Sequence, residues 1–211
     1  MFQDHKVPSQ LTLTLDRAMQ LLDFFRPDEL PSFDSLSDLS IDADGEVLLR
    51  RIYESNLIPA ESLPPRANEE LQDYIRGKTD QLPQTHYSLP PKATDIFYLL
   101  ADYYFKSRAC DKSKYDSAIK FYEEDICANP TRFDSWASMG LVRSTKLTTK
   151  LNSCDRLHVN EMLSDMSDAK RCFQRALELD DNNIIFLEFG SFAYCMHSYC
   201  SRLLKAVSIY F

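Results

Sequence analysis

Asn129-Pro130-Thr131-Arg132-Phe133-Asp134-Ser135-Trp136-Ala137 is the stretch that decides the fold of this chain. Proline lacks an amide hydrogen and clashes with the preceding turn, so Pro130 closes the helix before it. Six residues later Trp136 stands in a new helical run, and a helix end followed at that interval by a large aromatic marks the joint between two helical hairpins. Working outward, Phe97, Leu100, Ala101 and Tyr104 precede it with Ala118 and Tyr122, and Met139, Gly140, Ala169, Phe173 and Ala176 follow it. Two antiparallel helices need small residues where they cross and large apolar ones around the crossing. Ala101, Ala118, Gly140, Ala169 and Ala176 are the small set; Phe97, Leu100, Tyr104, Phe121, Tyr122, Trp136, Met139, Phe173 and Leu177 are the large one.

This order is similar to that of tetratricopeptide (TPR) repeats and predicts an all-α fold of TPR-like antiparallel helix pairs, an α-solenoid. The repeats span 93–130, 131–183 and an incomplete 184–205, in which Phe186, Phe189 and Gly190 restate the pattern with Ala193 and Tyr194 one turn on. Trp136 is expected to be buried between the first two repeats. Two departures stand out. Arg143 occupies the place of Tyr104, and the polar stretch 145–167 reads as an insertion between helices, which costs little closure entropy. Ser164 or Ser167 is then the expected cap of a helix 168–179, as Asp134 is for the helix holding Trp136. No polar capping helix follows the third repeat, so the sequence reads as a fragment of a longer protein, with Leu187, Phe189, Phe192, Tyr194 and 209–211 presenting apolar surface.

Ahead of the repeats lies a proline-rich, loosely helical part. An apolar stripe predicts a helix over 11–25, and 27–45 is an acidic loop. Short helices follow at 46–56 and 68–76, the second capped by Asn68, and 78–92 is a linker that separates residues 1–77 from the repeats. The spacing Ser40, Asp42, Asp44, Gly45 imitates a calcium loop, but Arg51 stands where the bidentate Glu belongs, which excludes calcium. Between residues 23 and 46 there are eight acidic side chains and one basic one, Arg26, which accounts for −7 of the net charge of −8. The rest is near neutral, so no surface has the cationic excess that nucleic acid requires, and the leader and length that a secreted or membrane-spanning chain needs are missing. Six cysteines with no CxxC pair fit reducing conditions, with Cys127 and Cys172 as buried thiols.

Catalytic chemistry has little to stand on, because the four histidines are dispersed and neither a nucleophile turn nor a Gly-rich phosphate loop occurs. Cys195, His197 and Cys200 offer too few donors on one helix face for a structural metal. The chain therefore reads as a non-enzyme without metal or cofactor. Repeat geometry puts Asp95, Tyr98, Asp102 and Lys106 on the inner face of the first repeat helix, with Asp134 on the second. This mainly acidic face is the candidate partner-binding surface, chosen over the acidic loop.

The runs 99–106, 129–137, 150–153, 172–180 and 197–205, with Leu30-Pro31-Ser32-Phe33-Asp34 further upstream, resemble the TPR region of the calcineurin-binding Cabin family. The resemblance is strongest over 93–205 and most specific from Arg132 to Trp136. It implies a nuclear scaffold subunit of a HIRA-type histone chaperone complex that carries out replication-independent nucleosome assembly with histone H3.3. Its partners would be other subunits of that complex, with histone reached through them. Calcineurin binding belongs to a different part of that family's chain. The other reading is a generic TPR adaptor that grips the peptide of a chaperone or another protein. Clamping a terminal carboxylate needs Lys, Arg and Asn on the inner face, which the acidic residues there disfavour.

Overall fold

The computed structural model describes residues 14–35, 41–54, 67–83, 91–107, 112–153 and 158–208. They form helices only: α1 Leu15–Phe25, α2 Ala43–Glu54, α3 Ala67–Ile75, α4 Pro91–Lys106, α5 Lys112–Ala128, α6 Phe133–Asn152, α7 Val159–Leu179 and α8 Asn183–Ser208. α4 pairs with α5, α6 with α7, and α5 packs on α6, which is the layering of an all-α helical-repeat fold.

The crossings follow the small-and-large rule. Phe97, Leu100, Ala101, Ala118, Tyr122, Trp136, Ala169, Phe173 and Ala176 are all fully buried. A Cβ placed on Gly140 would lie 2.9 Å from the Phe173 ring, so glycine here lets α6 and α7 approach. Trp136 donates its indole N–H to the Pro130 carbonyl at 3.0 Å, which explains why the Pro130-to-Trp136 interval marks the joint. Tyr104 is half-buried, stacked on Phe121 at 5.8 Å. Arg143, in the matching place on α6, bridges Glu123 of α5 (2.7 Å) and Asp168 of α7 (3.4 Å), replacing an aromatic contact by an ionic one.

Most of 145–167 is helix where an insertion was expected: 145–152 lengthen α6 to 20 residues and 159–167 lengthen α7 to 21, while 154–157 lie outside the described residues. No Pro or Gly interrupts the chain between Gly140 and Gly190, and Leu147 and Met162 extend the buried stripe. The threonines do not break the helix, because Thr148 and Thr149 donate to carbonyls one turn back. Lys150 then meets Asp165 across the pair at 2.7 Å. The caps expected at Ser164 and Ser167 accordingly fall inside α7, whose N-cap His158 makes no side-chain cap bond.

α8 also corrects the sequence reading. Its buried positions are Ile185, Phe192 and Met196, whereas Phe186 is half-exposed, Leu187 and Tyr194 are largely exposed, and Gly190 has nothing within contact distance. The inner stripe is thus displaced by one residue at its start, with Phe189 stacked on Phe173 at 5.4 Å. Asn182 caps the helix by accepting the Ile184 amide at 2.9 Å.

The N-terminal part is not set apart from the repeats, since Ala18, Leu22, Phe33, Leu49, Ile52, Leu71 and Ile75 belong to the same buried core as the hairpins. α2 lies on α4, with Tyr53 donating to Glu124 (2.7 Å) and Tyr104 to Glu46 (2.6 Å). It begins at residue 43, earlier than expected, because Asp42 accepts the Gly45 amide at 2.7 Å as a helix cap. That same carboxylate was half of the calcium-loop imitation. α3 lies on α5 and α7, where the Tyr74 ring meets Trp136 edge-on at 5.8 Å and Arg171 covers its other side at 4.7 Å. Asn68 falls within α3 and accepts from the Cys127 thiol at 3.2 Å. Gly77, at φ +72°, ends α3 by allowing Lys78 to donate to Asp73 and Gly77 to Tyr74. The linker is shorter than expected at its far end, since α4 starts at Pro91. Residues 84–90, 209–211 and the first residues of the stripe at 11–25 lie outside the described residues.

Candidate interaction groove

Asp95, Tyr98, Asp102 and Lys106 recur at intervals of three and four along α4, so they share one face, and Asp134 in the first turn of α6 lies beside them. All five are already in use. Residues 26–35, which follow α1 and lead into the acidic loop, lie across this face, held directly by Asp95, Tyr98, Lys106 and Asp134, with Asp102 paired to Lys106.

The contacts run in order along the segment. Arg26 meets Asp95 at 2.8 Å. Tyr98 donates to the Pro31 carbonyl at 2.6 Å. The Lys106 ammonium lies 2.7 Å from Asp102 and donates to the Ser32 carbonyl (3.3 Å) and the Ser35 hydroxyl (3.2 Å). The Phe33 amide donates to Asp134 at 2.9 Å, and the Phe33 ring, 2% exposed, meets Phe133 edge-on at 5.4 Å. Asp134 thus binds an amide of a distant segment instead of capping α6, while its charge still faces the positive end of that helix. The loop and the inner face were alternatives in the sequence; in the fold they are the two halves of one contact.

Beneath the segment lies an ionic layer that the sequence did not single out. Arg132 bonds Asp95 at 2.8 Å and Asp125 at 2.9 Å, and its guanidinium covers the Tyr98 ring at 5.4 Å. Asp125 is fully buried and also accepts from Ser135 and Asn129. Burial pushes its carboxyl up to about 6, against Arg132, Ser135 and Asn129, which favour the charged form. Burial likewise raises the Tyr98 hydroxyl above the usual phenol range, so it is held as the donor its contact with Pro31 requires. Together Arg26 and Arg132 balance Asp95 and Asp125, and Lys106 balances Asp102, so the acidic face carries its own counter-charges.

Past Phe33 the groove continues as a cleft of about 380 Å³ between α4, α6 and α8, lined by Phe105, Leu141, Thr145, Ile184 and Glu188. Among the described residues no group of three or more His, Cys, Asp or Glu is arranged to hold a metal ion, and no helix is long and apolar enough to cross a membrane. Arg26, Pro31, Phe33, Asp125 and Arg132 were absent from the candidate set. Two of them lie in the run 30–34 and one in 129–137, which the sequence had already marked out as distinctive. No protein-family model matches the chain, and no solved structure matches it.

Proposed function

We propose that this chain is a non-catalytic protein-interaction scaffold that works through the α4–α6 face. The observation that carries this reading is the groove itself: Asp95, Tyr98, Lys106 and Asp134, on two helices, hold residues 26–35 through three main-chain groups and the Arg26 and Ser35 side chains. Side chains preset by helix packing bind without the ordering cost that a flexible loop incurs. The resemblance to the Cabin family supplies the finer part. The scaffold serves in the nucleus as a subunit of a HIRA-type histone chaperone complex for replication-independent nucleosome assembly, and it contacts other subunits rather than DNA or membrane.

The generic TPR adaptor that clamps a terminal carboxylate is the weaker reading. Lys106 and Arg132, the cations beside the groove, are committed to Asp102, Asp95 and Asp125. The test is affinity capture from nuclear extract with mass spectrometry, comparing the chain with an Asp134→Ala, Tyr98→Phe variant of unchanged helicity. Enrichment of histone chaperone subunits by both proteins, altered in amount by the variant, is the expected result. Recovery of chaperones with charged C-terminal peptides, and no chromatin-assembly subunit, would overturn it.

A further inference from the structure

The segment over α4 and α6 is read in equal part by its backbone and by its side chains, and it closes a turn in which the Ser35 amide and hydroxyl donate to the Ser32 carbonyl. The Pro31 and Ser32 carbonyls and the Phe33 amide make three of its contacts, and these would be the same for another sequence in the same conformation. The Ser35 hydroxyl accepts from Lys106, and two side chains add selectivity: Arg26, placed on Asp95, and Phe33, sunk against Phe133. Between them Asp28 and Glu29 are exposed, as is Asp34 beyond. Backbone recognition combined with two anchors at fixed separation is the arrangement by which a site selects peptides from a class instead of a single sequence.

We propose that the α4–α6 face is a recognition site for an internal segment of another protein bearing Arg-Pro and, seven residues after the Arg, a Phe set in a turn, and that residues 26–35 occupy it as a built-in competitor. This rests on the scaffold reading for its class, but not on which complex the scaffold serves. The ligand chemistry follows from the groove. Asp95 requires a cation at the first anchor, and Asp134 requires an amide hydrogen at the Phe position, which excludes proline there. Tyr98 requires an accessible carbonyl two residues earlier. The present occupant is itself internal sequence, bonded from Arg26 through Ser35 with no terminal group, so the ligand is internal sequence. The apolar cleft beyond Phe33 then takes one more apolar side chain of the incoming segment.

A tethered competitor acts at an effective concentration of about millimolar, so a peptide of roughly 10 μM intrinsic affinity would bind the intact chain roughly a hundredfold more weakly. A fluorescent peptide copying residues 24–36 tests this by anisotropy against the full chain, against Arg26→Ala, and against the double variant Arg26→Ala, Phe33→Ala, each checked for helicity. The peptide is expected to bind the double variant at least tenfold more tightly than the unaltered chain, with Arg26→Ala between them. The same peptide with Phe33→Ala should not bind. If a folded variant takes up no peptide, or if all three proteins bind it equally, the proposal fails. Should the double variant not fold, the same criterion applies to Arg26→Ala alone. Sedimentation of the unaltered chain supplies the other arm: a dimer that Phe33→Ala abolishes would make the occupant the segment of a second copy and overturn the partner assignment. Peptide uptake by purified protein is independent of the nuclear-extract result, so either can fail without the other.

Discussion

The α6–α7 hairpin and the N-terminal segment over α4 and α6 are both ordered, yet by different forces. Inside the hairpin Gly140 gives way to Phe173 within an apolar core, beside which Arg143 pairs with Asp168 and Lys150 with Asp165. Over the groove one ring is sunk, and the rest are ion pairs and hydrogen bonds to main-chain atoms. Apolar burial is non-directional and adds up with area, whereas each polar contact nets only about 0.5–1.5 kcal/mol after water is exchanged. A hairpin of the first kind holds the architecture; a contact of the second kind can be released without dismantling it.

Trp136→Ala should break the comparison from the hairpin side, since the ring touches both the repeat joint and Tyr74 of α3. A loss of roughly 3–5 kcal/mol is expected in chemical denaturation, as for other buried aromatic truncations. A loss below about 1 kcal/mol would remove the joint from the centre of the fold.

The ionic layer between the regions predicts a pH dependence. Asp125 has its folded-state pKa raised to about 6 from 3.8, so the native state holds this proton more tightly than the unfolded chain. Its contribution is therefore fully present near pH 4 and is lost as pH rises through 6, a change of roughly 3 kcal/mol. Burial raises Glu123, Glu124 and Asp168 in the same direction. The informative measurement is thus the difference between the unaltered chain and Asp125→Asn, whose unfolding free energy should fall less steeply between pH 4 and 6. Parallel curves would contradict the upward shift of Asp125.

Gly140→Ala forces a methyl against the Phe173 ring and should cost about 1–3 kcal/mol, as overpacking does. The same change at Gly190, with nothing around it, should be neutral or slightly stabilising through helix propensity. Equal effects at the two glycines would mean that α6 and α7 do not cross where described. The smallest effect belongs to the groove: Tyr98→Phe removes one donor from Pro31 and should cost about 0.5–1.5 kcal/mol. Hydrogen exchange at Phe33 should quicken while α6 and α7 amides keep their protection, and a uniform increase would mean that groove and hairpins open as one unit.

How much of this was legible differs by region for the same reason. Pro130, Trp136, Gly140 and Phe173 announce themselves because small and large residues at helical spacing have few other uses. The length of α6 and α7 was hidden by composition: Thr145, Thr148 and Thr149 look like loop, and only their bonds to the preceding turn reconcile them with a helix. The inner-face residues share one side of α4 and the start of α6, but their occupant could not be read. Tyr98 binds a carbonyl and Asp134 an amide, groups that every residue possesses and no sequence displays. Phe33 and Arg26 were visible only as an aromatic and a cation inside an acidic loop.

Cys127 and Cys172 report on two different packings of the helices. Burial pushes both thiols up to about 12, so at neutral pH only roughly one molecule in 10⁵ carries a given thiolate while the fold is closed. Cys127 bonds Asn68 of α3, whereas Cys172 sits on α7 deep in the hairpin. An alkylating reagent would therefore reach the first when α3 lifts and the second only when the hairpin parts. The chain carries two native clocks, and the ratio of their rates measures how often α3 lifts for each time the hairpin parts.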